Sequence, residues 1–548
     1  MPENTKQDLE NLIPEPYSTY GCIENSDTNT TNKPVDLIEA TIGGFGKWQC
    51  RLSILVSILK IPISWIQLSI VFMAPPTEFW CAPPQNYKKM AIKKWIELVS
   101  TNTKENFCVM RDISQKNSNL TTICLWGYDY NRTNIRSSII TEWDLVCNKK
   151  ILVDITQTVL MFGVLIGIII FGPAADRYGR RKILMISIIL QTICGALSTI
   201  SPWYSLFLVF RFLLAVVASG VMVTSFVMCV EIVAGTWRTT VPILHQIPFG
   251  LGNTLMATIA YFVRDWRNLQ LILFGISALY IVYYWLIPES PRWLMAVDRR
   301  EEAIKILEKA AVVNGIDKEL IRKRCDRLNF INDDSFQNKV GLTSVFQTSE
   351  LRRRSIFLCI KWFFNGIVFY GFYQYAGHLN ENMYLTVGFI GLISIPGGVI
   401  GALIVMKCGR RISIAAANYL TAACLFSIIV IPKGVYYQDW PIVLISGCGI
   451  FGLTISSPAL HLFTGELYPT VLRNVALGLN IMLTKLGAMA APLIIGLGDT
   501  YTYLPLLVFG VLSVLEAVLV HPLPETLNAF LPETVSDVEN ENSRLITQ

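Results

Sequence analysis

Lys485 and Lys60 are the residues of this sequence best placed for recognition chemistry, because each stands deep inside an apolar run where an ammonium is costly. A charged side chain at the centre of a membrane span costs about 2.5–3.5 kcal/mol on insertion scales, so each one requires a physical account. Lys485 lies about eleven residues into its run, with Asn480 and Thr484 nearby. Lys60 is comparably deep and is followed by Pro62, which lacks a backbone donor and opens the local helical ladder. Snorkelling to the membrane surface serves lysines near helix ends and is strained at this depth. The bland alternative for both is a buried pair with a Glu or Asp of a neighbouring run. An ammonium without such a partner is a site for a carboxylate on a ligand.

A second run supplies aromatic surface. Trp362, Phe363, Phe364, Phe369, Tyr370, Phe372, Tyr373 and Tyr375 crowd about fourteen residues. Rings of this kind pack an apolar body or hold an ammonium face-on, worth ~0.5–2 kcal/mol per good contact. Phe369, Tyr370 and Tyr373, together with Asn365 on the same run and Gln67 beyond Lys60, complete the candidate binding set. Gly366, Gly371 and Gly377 are expected to let this run break or bend. A ligand with a carboxylate for Lys485 and an amine for the aromatic wall is a zwitterion.

The elements that position these residues follow from composition. Of 548 residues 52% are hydrophobic and only 16% charged, against roughly 25% charged in a soluble domain. The net charge of +6 is spread among apolar runs and gives no basic face for nucleic acid. Twelve runs are long enough to cross a bilayer as helices, which need about 20 mainly apolar residues. They fall at about 52–74, 152–174, 183–200, 204–230, 240–262, 268–287, 356–377, 385–406, 412–431, 441–463, 474–497 and 503–521. The fold class is an all-α membrane protein with twelve transmembrane helices in two pseudo-symmetric six-helix halves. The first run is read as the insertion signal, since residues 1–46 show no removable leader.

Lys and Arg cluster in alternate short connections, namely Arg177, Arg180, Arg181 and Lys182, then Lys407, Arg410 and Arg411, with Arg352, Arg353 and Arg354 before the seventh run. The positive-inside rule places these connections and both termini in the cytoplasm and the 75–150 segment outside, at the plasma membrane. Arg264 and Arg267 dissent. The outer segment holds Cys81, Cys108, Cys124 and Cys147, expected as two disulfides in one of three pairings. It also holds glycosylation sequons at Asn119 and Asn131; the sequon at Asn29 is cytoplasmic and expected to stay bare.

Three motifs recur in order. Glu231 and Arg238 return as Glu466 and Arg473 at an offset of 235 residues, Pro288-Glu289-Ser290 as Pro524-Glu525-Thr526 at 236, and Gly179-Arg180-Arg181 as Gly409-Arg410-Arg411 at 230. The chain therefore divides into an N-terminal segment (1–50), a six-helix half (51–287), a linker (288–355) with an amphipathic helix near 301–309, a second half (356–522) and a tail (523–548). Parallel halves related about the membrane normal can rock around a site between them. The charged set Asp176, Arg177, Arg180, Glu231, Arg238, Arg410, Glu466 and Arg473 falls at cytoplasmic helix ends, where ion pairs worth ~0–1 kcal/mol each would form a gate that can open.

Asp176-Arg-Tyr-Gly-Arg-Arg-Lys182 resembles the loop motif of the major facilitator superfamily, and Pro288-Glu-Ser-Pro-Arg-Trp-Leu294 its sixth-span exit motif. Ser137-Ser-Ile-Ile-Thr-Glu-Trp-Asp-Leu-Val-Cys147 and Gly465-Glu-Leu-Tyr-Pro-Thr-Val-Leu-Arg-Asn474 resemble its organic cation, anion and carnitine transporter family. The resemblance implies alternating-access transport of a small organic ion. Cation members carry an acidic residue at the position of Lys485 and anion and carnitine members an Arg, while charged positions of the cation group correspond to Asn365 and Ser394. Phe369-Tyr370-Gly371 resembles the paired aromatics of the anion members. Phe45-Gly-Lys-Trp-Gln49, Lys60–Gln67 and Phe72-Met-Ala-Pro-Pro76 resemble an insect branch with β-alanine and carcinine transporters.

Enzyme readings lack their motifs, including the phosphate loop and His-Glu-x-x-His, and no cofactor or metal is implied. The partners implied are a small organic ion, the lipid bilayer and a co-transported or exchanged ion, with no nucleic acid. An organic cation uniporter and a non-transporting sensor are the alternatives. His245, His378 and His461 read as packing residues, and Glu516 in the last run could pair with a lysine or with nothing visible in the sequence.

Overall fold

The computed structural model describes residues 21–24, 35–88, 90–99, 108–111, 121–133, 135–235, 237–330, 342–380, 382–527, 529, 532, 535 and 537–539. Every apolar run becomes helix. Span one is Lys47–Ile58, Lys60–Leu68 and Ile70–Met73; spans two to four are Ile151–Tyr178, Arg180–Ile200 and Tyr204–Glu231. Span five is Trp237–Leu244 and Ile247–Phe262, and span six is Trp266–Ala278 continued by Leu279–Val282 and Tyr283–Leu286. Spans seven to twelve are Ser349–Tyr375, Met383–Cys408, Arg410–Val430, Trp440–Leu467, Thr470–Gly496 and Leu504–Val520.

Ten of these helices are long and apolar enough to cross a membrane by length and composition. Span five misses that measure because it is interrupted at His245–Gln246, just before Pro248, and span twelve because it has 17 residues. Proline also interrupts span one, although Lys47–Leu68 still meets the measure. Pro62 cannot donate to the carbonyl four residues back, and the helix restarts after Leu59.

Span seven departs from expectation. It runs unbroken from Ser349 to Tyr375, and its glycines serve close packing rather than a bend. A Cβ on Gly366 would lie 2.0 Å from the carbonyl oxygen of Thr484 in span eleven, and one on Gly371 2.5 Å from the Phe509 ring in span twelve. Gly377, just past the helix, makes the same close approach to Val71 of span one.

The internal repeat is visible as a repeated knot of charge. Gly179 and Gly409 adopt φ of 104° and 93°, a conformation that only glycine takes without strain. Beside them the Glu289 carboxylate accepts the Arg181 backbone N–H at 3.0 Å, and the Glu525 carboxylate accepts those of Arg410 and Arg411 at 2.8 and 3.0 Å. The linker forms helices Arg300–Asn314 and Lys318–Arg327. They pack with the helix Leu37–Ile42 around Trp293, Leu294, Leu307 and Ile321, so this unit is anchored to the first half.

The apolar cores show which faces meet. The largest core draws Trp65, Met73, Phe207 and Trp266 from the first half and Phe372, Tyr373, Leu379 and Phe509 from the second. These residues lie toward the end of the bundle that bears the disulfide loop. At the linker end the described cores are separate, one around Leu59, Met185 and Met228 in the first half and one around Trp362, Phe463 and Tyr468 in the second. Burial of shared apolar surface therefore closes the loop end across the two halves, while at the linker end the described apolar cores stay within each half.

Candidate functional site

Lys485 emerges where spans seven and eleven touch. Gly366 accommodates the Thr484 carbonyl, and a Cβ on Gly487 would meet the Phe363 carbonyl oxygen at 2.0 Å, so small residues on both helices bring the two backbones together. From this contact the Lys485 Nζ donates to the Tyr370 hydroxyl at 2.5 Å and lies 4.5 Å from the centre of its ring. The Tyr370 hydroxyl in turn donates to Gln67 Oε1 at 3.0 Å. Gln67 is steadied through its backbone carbonyl, which accepts from Gln157 Nε2 at 2.8 Å. The chain Lys485–Tyr370–Gln67 thus crosses from the second half to the first.

Charge at this interface is unbalanced. Lys485 is 4% exposed and Lys60 6%, and the charge of Lys485 acts on Lys60. Among the described residues no carboxylate lies within ion-pair distance of either. His461 and His245 stand within electrostatic reach of Lys60 and add no negative charge. Two neighbouring cations without a counter-charge favour occupation by an anion, since an isolated buried charge is costly and a paired one much less so.

Aromatic rings close one side. Phe369 packs against Tyr370, Tyr373 and, from span five, Phe249, with ring centres 5.3, 4.9 and 6.2 Å apart. Asn365 is elsewhere. Its Nδ2 donates to Glu516 at 3.3 Å, inside a cluster where Lys361 Nζ reaches the same carboxylate oxygen at 3.0 Å and Asn418 Nδ2 at 3.5 Å. Lys361 and Glu516 are both 0% exposed. A buried lysine–carboxylate pair, the alternative for Lys485, therefore exists, but Lys361 makes it. Lys361 does not stand out in the sequence because it lies little more than one turn into the apolar run beyond Arg352–Arg354; the signal for it is a second charge, Glu516, in another run.

A model of the Major Facilitator Superfamily matches residues 149–492. The chain belongs to this superfamily. Within it the chain falls in the organic cation and anion transporter family, being 31% identical over 516 residues to the organic cation transporter protein of Drosophila melanogaster, covering 91% of this chain and 93% of the relative. It is likewise 31% identical over 535 residues to solute carrier family 22 member 3 of Mus musculus (92% and 96%), and 30% identical over 516 residues to organic anion transporter 3 of Sus scrofa (92% and 93%). In fold it resembles the proton:xylose symporter XylE bound to 6-bromo-6-deoxy-D-glucose, with a TM-score of 0.61, 16% identity and coverage of 90% and 99%. The protein is a multi-pass membrane transporter and not an enzyme.

In this major facilitator transporter the charged motifs brace individual halves. Arg180 pairs with Glu231 at 2.9 Å and with Asp176 at 2.8 Å, and Arg410 pairs with Glu466 at 3.1 Å. Arg238 meets Asp36 at 3.4 Å, and Asp36 also receives Arg292 at 2.8 Å. Arg177 lies over the Tyr178 ring, and Arg473 is buried at the foot of span eleven. Each of these ion pairs stays within one half or ties the N-terminal segment to it.

The loop between spans one and two has its own small core of Cys81, Trp95, Val99 and Met110. Its disulfides join Cys81 to Cys124 and Cys108 to Cys147, a pairing that spacing alone left open. The Ser137–Cys147 motif staples this loop to the bundle. Glu142 accepts from Trp266 Nε1 at 2.8 Å and pairs with Arg267 at 2.5 Å, which accounts for the basic residue at odds with the charge rule. Tyr130 donates to Asp144 at 2.8 Å, and burial, reinforced by that carboxylate, raises its phenol above the ordinary range. Asn131 Nδ2 donates to Glu78 at 3.0 Å on the surface; Asn119 and Asn29 lie outside the described residues.

Proposed function

We propose that this transporter carries small organic ions bearing a carboxylate, either zwitterions of the β-alanine or carnitine type or simple organic anions, by alternating access. One observation carries the reading: the Lys485 ammonium, buried at the interface of the halves, is held by a neutral phenol and faces no carboxylate among the described residues. Lys60, which feels the charge of Lys485, strengthens the preference for negative charge. The Phe369–Tyr373 wall offers an apolar or ammonium-binding surface at the same place. Relatives named for organic cations and for organic anions are equally similar to the chain, so the charge of the site, not the degree of likeness, decides between them.

A competition panel tests the proposal. Zwitterions, monocarboxylates and quaternary amines are compared as inhibitors of tracer uptake into cells expressing the protein, with and without sodium. Carboxylates, with or without an amine, should inhibit and quaternary amines lacking a carboxylate should not. Inhibition by tetraethylammonium and not by β-alanine or benzoate would overturn the assignment and favour an organic cation uniporter.

We further propose that the disulfide loop faces the outside of the plasma membrane, with both termini in the cytoplasm, as two disulfides in that loop require an oxidising compartment. Enzymatic deglycosylation should lower the apparent mass, and Asn119→Gln with Asn131→Gln should remove that shift. An unchanged mass in the wild type would place the loop on the other side.

A further inference from the structure

Arg211 is a third buried cation, and it lies at the opposite end of the pathway from the linker. It stands seven residues into span four from the loop side, roughly 10 Å deep at 1.5 Å per residue. It is 1% exposed. Its guanidinium reaches only neutral groups: Met73 Sδ at 3.3 Å, Ser69 Oγ at 3.4 Å and the face of Phe207 at 5.9 Å. Its Nε has no hydrogen-bond partner, and no acidic group among the described residues offsets its burial.

Its neighbours decide what this means. Met73 and Phe207 belong to the apolar core that joins the two halves at the loop end. On the alternating-access reading proposed above, that core parts when the site opens toward the loop, so Arg211 is wetted in one state and dry in the other. Drying a guanidinium with no counter-charge opposes closure, whereas a guanidinium that carries an anion closes at far lower cost. Span one carries the same theme along its length, from Lys60 through Gln67, which meets Tyr370 and hence Lys485, to Ser69 beside Arg211.

We propose that Arg211 is a second binding site, for a small monovalent anion, whose occupancy favours closure of the loop end. The occupant is either the carboxylate of an entering substrate or an inorganic halide. The site is separate from Lys485 and is tested with the central ammoniums removed, so failure of either reading leaves the other standing.

The test uses the full chain purified in detergent, in a Lys60→Ala/Lys485→Ala background, with melting followed at constant ionic strength as sodium chloride or sodium acetate replaces sodium isethionate. Either small anion should raise the melting temperature by about 3 °C or more at saturation. Arg211→Met should abolish the rise. A response to acetate alone identifies the carboxylate as occupant, and a response to chloride identifies an inorganic anion. Should Arg211→Met fail to fold, Ser69→Asp supplies a fixed carboxylate beside the guanidinium: melting without small anions should rise and their further effect should vanish. No anion response in the background, or one that survives Arg211→Met or Ser69→Asp, overturns the site.

Discussion

Removing one partner of the Lys361–Glu516 pair is expected to cost about 3–5 kcal/mol of stability, the usual penalty for leaving one member of a buried ion pair alone. Both side chains are fully buried 3.0 Å apart, and Asn365 and Asn418 donate to the same carboxylate oxygen. Lys361→Met or Glu516→Leu should each lower the melting temperature of detergent-purified protein sharply and reduce the fraction reaching the cell surface. The double variant Lys361→Met/Glu516→Leu should recover most of the loss, because apolar replacement of both charges removes the desolvation cost along with the attraction. If the double variant were as unstable as the sum of the singles, the pair would not be the interaction that holds spans seven and twelve together.

The second large effect falls on transport rather than folding. Lys485→Ala should raise the KM for a carboxylated substrate by about 30-fold to several thousand-fold, since truncating one partner of a buried charge pair costs about 2–5 kcal/mol. Surface expression should stay near wild type, because Lys485 has no carboxylate partner among the described residues whose loss would leave a charge stranded. Tyr370→Phe removes the hydroxyl between Lys485 and Gln67 and keeps the ring, so its effect should be a smaller version of the same change. Unchanged KM in Lys485→Ala would place the substrate elsewhere.

Much of this architecture is legible in the sequence because it depends on composition and repetition. Run length identifies the twelve spans, and the recurring Gly-Arg-Arg, Glu/Arg and Pro-Glu motifs identify the halves before their matching knots at Gly179 and Gly409 are seen. Rotation of each helix about its own axis is less accessible. Shared membership of span seven groups Asn365 with Tyr370, yet Asn365 is four residues from Lys361 and five from Tyr370. At 100° per residue it shares the Lys361 face, which turns toward Glu516 in span twelve. Lys361 itself pairs across 155 positions of sequence, and no local pattern announces such a contact.

The sequence does not single out Arg211, for a different reason. Span four reads as a long apolar run, and one arginine seven residues from its end has the spacing of a surface anchor. Only packing shows that it turns inward, against Ser69 and Met73 of span one. The disulfide pairing is likewise a matter of tertiary approach, with Cα separations of 5.2 and 5.7 Å between residues about forty apart in sequence.

The central claim is that the charge on residue 485 selects the charge of the substrate. The most direct measurement is the pair of inhibition constants for β-alanine and tetraethylammonium, determined in wild type and in Lys485→Asp with one tracer that both transport. Reversal of sign at this position should weaken the carboxylate and strengthen the quaternary amine, so that their order inverts. Retention of the wild-type order in a Lys485→Asp protein that still transports would contradict it.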